Sequence, residues 1–329
     1  MTSRRARSLA FLAVVGVAVV VAGVSIWRAR HAGGPATAST VDATQRLDAP
    51  PARPFIAVRD LTAGTAWGHV ALAPLDTPGG PRHVTALECD RVYFAGGRGV
   101  CLQADGLAGR ALLFDDHQQV RATLPLSGPP SRARVSRDGH WGAFTVFEQG
   151  HSYADDTFST RTTIVDMTSG TPLPDLESFA VWQDGARVTR PDVNYWGVTF
   201  APDGRHFYAT LAFGGTPYLV EGDLVDRLVR VIAAQVECPS LSPDGRRVAF
   251  KRAHGLRWRL WVRDLASGVE HIVAGETRSI DDQAEWLDDA RLLYQFPSDE
   301  GNVVYVADVD GDTPARVFMR DAWSPSVVR

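Results

Sequence analysis

The sequence is short of the compact signatures that announce a common enzyme. It has no Gly-x-Ser-x-Gly elbow, no His-Glu-x-x-His and no phosphate-cradling Walker loop. Its three cysteines, Cys89, Cys101 and Cys238, lack the close spacing of a zinc site. The nine histidines are scattered, with no ligand-spaced pair, so no metal or cofactor is expected. Lysine is confined to Lys251, every other cationic side chain being arginine. With 34 Lys and Arg against 38 Asp and Glu the net charge is −4, which offers nucleic acid no electrostatic footprint. The apolar share of 45% over 329 residues is ample for a core, in one large or two ordinary domains.

One long apolar run is present. Leu9 to Trp27 is uninterrupted by charge, preceded by Arg4, Arg5 and Arg7 and closed by Arg28 and Arg30. That is the length a helix needs to cross a bilayer, and the leading arginines favour a cytoplasmic N-terminus. The expectation is a cytoplasmic stretch at 1–8, a single-pass signal anchor at 9–27 and an extracytoplasmic remainder, a cleaved signal peptide being the alternative. Residues 28–54, rich in Gly, Pro, Ala, Thr and Ser, read as a flexible linker.

From Phe55 onward the chain repeats. Val262-Arg263-Asp264-Leu265-Ala266-Ser267-Gly268 recurs as Val58-Arg59-Asp60-Leu61-Thr62-Ala63-Gly64 and as Ile164-Val165-Asp166-Met167-Thr168-Ser169-Gly170. Weaker copies end at Asp115, Asp223 and Asp308. The six marker aspartates stand about 41 to 57 residues apart, near the period of a propeller blade. A second motif, Ser242-Pro243-Asp244-Gly245, recurs around Asp138, Asp203 and, degenerately, Asp288 and Asp90. Proline and glycine there supply the backbone angles of a tight turn, and the aspartate closes on its own backbone. Each unit has room for four short strands and shows no helical periodicity. The expected fold is all-β, a six-bladed propeller of four-stranded blades over 55–329. The chain enters at what reads as a third-strand marker, Phe55 to Leu61. It leaves with a first strand around Trp323 that would close the ring, the source of that blade's second strand being open.

These motifs resemble those of the TolB-like six-bladed propellers, with their Ser-Pro-Asp-Gly turn and later aspartate. The resemblance is strongest in the unit from Ser242 to Asp264. It implies a propeller without catalysis of its own, binding or scaffolding a protein or peptide in the cell envelope, here held at the cell membrane by the N-terminal helix. Two other classes stay in view: a carbohydrate- or peptide-acting lyase or hydrolase, and a small-ligand or cation sensor.

Three features are candidates for specific work. Asp192, Asn194, Glu237, Asp281 and Asp282 precede the first strands of their blades at similar distances, so they could form an acidic ring at the channel mouth suited to a cation or basic peptide. Solvated loop positions are the plainer reading. Cys89 and Cys101 flank a glycine-turn hairpin and are either a disulfide, given a bulge in the register, or two buried thiols; Cys238 reads as a small core residue. The insert from Glu148 to Arg161, with Tyr153, Asp155, Asp156 and Phe158, exceeds a normal hairpin loop and could dock a partner.

Overall fold

In a computed structural model of the chain the described residues are 46–106, 108–148, 159–298 and 301–329. The expected anchor, most of the linker, and Tyr153, Asp155, Asp156 and Phe158 of the insert lie outside them. Among the described residues no helix is long and apolar enough to cross a membrane.

The strands fall into six sheets around a ring. Blade 1 holds β1 (Phe55–Asp60), β2 (His69–Pro74) and β3 (His83–Glu88). Blade 2 is β4 (Arg91–Ala95), β5 (Arg98–Asp105), β6 (Ala108–Asp115) and β7 (Val120–Leu126), and blade 3 is β8 (Pro130–Val135), β9 (Trp141–Glu148) and β10 (Ser159–Asp166). A small hairpin, β11 (Ala180–Gln183) and β12 (Ala186–Val188), comes before blade 4, which is β13 (Asn194–Phe200), β14 (His206–Phe213), β15 (Thr216–Asp223) and β16 (Leu228–Ala234). Blade 5 is β17 (Glu237–Leu241), β18 (Arg247–His254), β19 (Arg257–Asp264) and β20 (Glu270–Ile272). Blade 6 is β21 (Glu285–Asp288), β22 (Arg291–Ser298), β23 (Gly301–Asp308) and β24 (Arg316–Arg320). The last strand, β25 (Ala322–Val328), pairs antiparallel with β1 and becomes the first strand of blade 1. The fold is thus a six-bladed propeller closed by its C-terminal strand.

Closure corrects one expectation. Phe55–Asp60 is the second strand of its blade, not the third, because it lies between β25 and β2. No strand is therefore missing. The motif misleads because Asp60 makes the turn of a third-strand marker, its Oδ1 accepting from the Thr62 amide at 2.7 Å, as Asp264 accepts from the Ser267 amide at 2.7 Å. Two blades depart from four strands. Blade 3 has three plus a single bridge, Val165 to Pro172. The prolines at 172 and 174 lack the N–H a fourth strand would need. Blade 4 gains an edge, since β11 pairs parallel with β16.

Alternation along each strand makes the core. Phe55 and Ala57 pack toward blade 2, whereas Ile56 and Val58 pack toward blade 6, as side chains on opposite faces of one sheet must. Six apolar clusters result, one in each seam between neighbouring blades. The seams place the first strands β25, β4, β8, β13, β17 and β21 side by side around the axis. Their starts form one mouth of the central channel. Their ends, with the Pro-Asp-Gly turns that follow, form the other.

Residues 46–54 are mostly exposed but touch the propeller at several points. The Leu47 amide donates to the Arg82 carbonyl at 3.0 Å. Pro50 to Arg53 wall an apolar cavity of about 270 Å³ with Phe55, Phe94 and Phe114.

Candidate functional site

At the strand-start mouth the acidic ring is only half there. Glu237, Asp281 and Asp282 come together, but each meets a cation. Arg91 lies 3.8 Å from Asp282, which lies 4.0 Å from Arg132. Arg132 lies 3.7 Å from Asp281, Asp281 holds Lys251, and Lys251 lies 3.7 Å from Glu237. Three carboxylates thus alternate with three cations from blades 2, 3 and 5. Lys251 is fully buried, with its ammonium 4.7 Å from the Trp258 ring centre. Burial disfavours that charge, yet its acidic neighbours, Asp281 and Glu237 among them, outweigh it and hold its pKa above the usual lysine value. Burial pushes Asp281 upward, but Lys251 and Arg132 pull it below the ordinary carboxylate range. This mouth is a neutral, interlocked lattice, not an acidic ring.

Asp192 and Asn194 do not join it. Asp192 is exposed, bound by Arg190 at 2.7 Å and by the Gly214 amide at 2.8 Å. The Asn194 side-chain oxygen accepts from the Thr160 amide at 3.0 Å and its hydroxyl at 2.6 Å, tying blade 4 to blade 3. Asn194 does begin β13 and Asp192 lies two residues before it, but the side chains of both are taken up by partners outside the lattice.

Below this mouth the channel is filled. The side-chain nitrogen of Gln283 donates to the Pro239 carbonyl at 2.7 Å and the Val198 carbonyl at 3.1 Å, joining blades 6, 5 and 4. Arg134 donates to the Ala284 carbonyl at 2.6 Å and pairs with Glu285 at 3.1 Å. The Tyr93 hydroxyl also donates to Glu285, at 3.0 Å. Burial, then the Glu285 charge, hold that phenol well above its usual pKa, so it remains a donor. The void left at this level is about 20 Å³, room for one water.

The opposite, turn-side mouth opens into a recess of about 140 Å³. Its floor is the Arg134, Glu285 and Tyr93 network, and its wall includes Phe200, Pro202, Leu241 and Pro243 from the turns of blades 4 and 5. Three exposed arginines stand around it. Arg137 donates to the Pro243 carbonyl at 3.0 Å, Arg53 to the Arg329 main-chain oxygen at 3.4 Å, and Arg329 to the Trp286 and Leu287 carbonyls at 2.6 and 3.0 Å. Sequence reasoning missed this site because Arg53 and Arg329 lie far apart in the chain and meet only through ring closure. Arg137, inside a Ser-Arg-Asp-Gly turn where Pro202 and Pro243 stand in the sister turns, was the legible signal.

The turns framing the recess are rigid. The Ser242 hydroxyl donates to Asp244 at 2.5 Å, as Ser136 does to Asp138. The Trp141 indole reaches the Gly204 carbonyl at 2.9 Å and the Trp286 indole the Ser240 carbonyl at 2.8 Å, each tying one blade to its neighbour. The marker aspartates at 60, 115, 166, 223 and 264 and the turn aspartates at 138, 203 and 244 accept from backbone amides, as their motifs implied.

Cys89 and Cys101 are joined by a disulfide, with Cα atoms 5.4 Å apart. Cys89 sits just before β4, where the Asp90 amide bonds the Leu102 carbonyl at 2.7 Å and extends the pairing with β5. Cys238 is a buried free thiol beneath the start mouth, and burial raises its pKa. Among the described residues no three His, Cys, Asp or Glu side chains gather as a metal site would require. Of the buried carboxylates elsewhere, Glu276 is held by Arg278 and Tyr294 in the outer part of the blade 5–6 seam.

Solved structures share this architecture. TolB from Acinetobacter baumannii superposes with a TM-score of 0.61 at 16% identity, over 84% of this chain and 67% of that one. The fold is that of the TolB-like propellers. The TolB-like architecture also matches a nidogen/laminin complex structure, with a TM-score of 0.55 at 11% identity over 83% of this chain and 97% of that one. An oligogalacturonate lyase in complex with manganese lies further off, with a TM-score of 0.48 at 12% identity over 76% of this chain and 79% of that one. No protein-family model and no curated protein sequence matches the chain. At such identities the likeness shows the fold alone.

Proposed function

We propose that the chain is a non-catalytic binding propeller of the cell envelope, held by residues 9–27 as a single-pass anchor with its blades outside the cytoplasm, and that its turn face engages a protein or peptide. One observation carries this reading: the channel is closed by paired, buried side chains, while the turn-side recess above the plug is open and framed by braced turns. At about 140 Å³ the recess is smaller than the roughly 300–1,000 Å³ of a small-molecule site. It fits one or two side chains of a partner whose main contacts lie on the surrounding face. Acid–base chemistry finds less support. A general acid is kept protonated by an upward shift within a pocket. Glu177, which burial and then Asp175 push upward, does not line the recess.

Site-specific photo-crosslinking in intact cells tests the reading. A benzoylphenylalanine at Pro202, on the recess wall, should capture a discrete partner. The same probe at Leu256, fully exposed at the tip of the β18–β19 hairpin on the other face, should not. Equal capture from both positions, or none from Pro202, removes the turn face as the binding surface.

A further inference from the structure

We infer that the turn-side recess recognises an acidic segment of its partner, with a carboxylate side chain seated between Arg53, Arg137 and Arg329 and an adjacent apolar side chain against Phe200 and Leu241. The inference rests on the binding reading above and adds the chemistry of the ligand. Among the described residues the one aspartate or glutamate side chain lining the recess is Glu285, and Arg134 and Tyr93 already hold it from below. Among the described residues the three arginines at the rim have no aspartate or glutamate side chain within ion-pair distance; their hydrogen bonds go to main-chain oxygens. Each guanidinium has five N–H donors, so donors remain for a ligand. A charged carboxylate bonds them about twice as strongly as a neutral carbonyl does. For Arg137 and Arg329, whose acceptors are the Pro243, Trp286 and Leu287 carbonyls, exchange of carbonyl for carboxylate is therefore favourable, and Arg53 adds a third cation beside the same small hollow.

The neighbouring acids stand outside the recess, bound within their own turns. Asp138 and Asp244 are turned into their own turns, taking the Ser136 and Ser242 hydroxyls and the His140 and Arg246 amides. Asp203 takes the Arg205 and His206 amides and the His206 ring. None of the three lines the recess. Beside Thr199, Ser240 and Ser242 the remaining wall has an apolar part, with Phe200 and Leu241 half-buried and Pro202 exposed. An acidic side chain beside an apolar one matches both parts. A sugar acid would match only the first.

The test is fluorescence anisotropy at low salt with the purified full-length chain in non-ionic detergent. The probes are two labelled decapeptides, one alternating glutamate with leucine and one alternating glutamine with leucine. The glutamate peptide should bind at least about tenfold more tightly, and Arg53→Gln/Arg137→Gln should weaken it by about tenfold. A control double, Arg187→Gln/Arg230→Gln, removes the same charge from exposed positions on the outer edge of blade 4 and should change affinity by less than about twofold. Equal binding of the two peptides, or equal weakening by the two doubles, overturns the inference. So does a galacturonate trisaccharide that binds more tightly than the glutamate peptide and loses affinity in the Arg53/Arg137 double. Capture from Pro202 in cells with no preference for the glutamate peptide would defeat the acidic ligand and leave the binding reading standing. Absence of capture defeats that reading first.

Discussion

Arg134 of blade 3 holds Glu285 of blade 6 at 3.1 Å, directly across the ring, and both side chains are buried. The pair does for the channel what the apolar seams do for the rim, joining blades that share no seam. Removing one member of a buried ion pair strands the other and costs about 3–5 kcal/mol, whereas replacing both with apolar groups is often neutral. Glu285→Gln should therefore lower urea-unfolding stability by about 3 kcal/mol. Arg134→Met/Glu285→Leu should recover most of that loss. Strict additivity of the two single changes would mean that the pair is not coupled.

The disulfide closes a short loop, Cys89 and Cys101 being 12 residues apart. By chain-entropy reasoning a loop of this size contributes about 3 kcal/mol. Urea unfolding with and without a reductant should show a loss of that order, and Cys89→Ala/Cys101→Ala should be indifferent to the reductant.

Gly96 and Gly97 share the β4–β5 turn, and both have positive φ. They differ in surroundings. A Cβ on Gly97 would meet nothing within 4 Å, whereas one on Gly96 would lie 2.2 Å from the Gly139 amide nitrogen of blade 3. Gly97→Ala should cost about 1 kcal/mol, from the left-handed backbone alone. Gly96→Ala should cost about 3 kcal/mol or more, since backbone must move. Equal thermal shifts would show that the two turns are not in contact.

Acid should loosen the blades through their turn aspartates. In Asp244 burial pushes the pKa upward, but the Ser242 hydroxyl and Arg246 amide bring it below the usual value. Asp264 is lowered by the Ser267 hydroxyl and amide. A carboxyl whose folded pKa is depressed stabilises fully above its unfolded pKa of about 3.9 and loses that contribution as pH falls toward the folded value. The urea midpoint should be flat from neutral pH to about pH 5 and decline below about pH 4. Asp244→Asn/Asp264→Asn, which keeps turn-forming side chains that cannot titrate, should decline less steeply. An identical slope would exclude these two residues as the source.

Local chemistry made the blades legible. Asp115, Asp166, Asp223 and Asp264 mark third strands because each must close a turn with its own carboxylate. The same rule misfiled Asp60, since a turn of that kind can follow any strand. Glu237, Asp281 and Asp282 could be placed at a mouth because first strands line the axis. Their cations could not be placed so readily. Lys251 lies on a second strand, and Arg132 and Arg134 alternate with small residues in a stretch that reads as an ordinary inner strand. Pairing across a ring joins residues some 150 positions apart, as with Arg134 and Ala284, and nothing in their sequence neighbourhoods marks the partner. The recess escaped notice for the same reason.

Hydrogen exchange read by mass spectrometry separates the turn face from every other surface of this propeller. The full-length chain in isolated envelopes would be compared, peptide by peptide, with the purified chain. Binding through the recess should slow exchange in the turns around Arg137, Pro202 and Pro243 and leave the segment from Ile280 to Gln283 at the start mouth unchanged. Protection at the start mouth, or none at the three turns, would contradict a partner on the turn face.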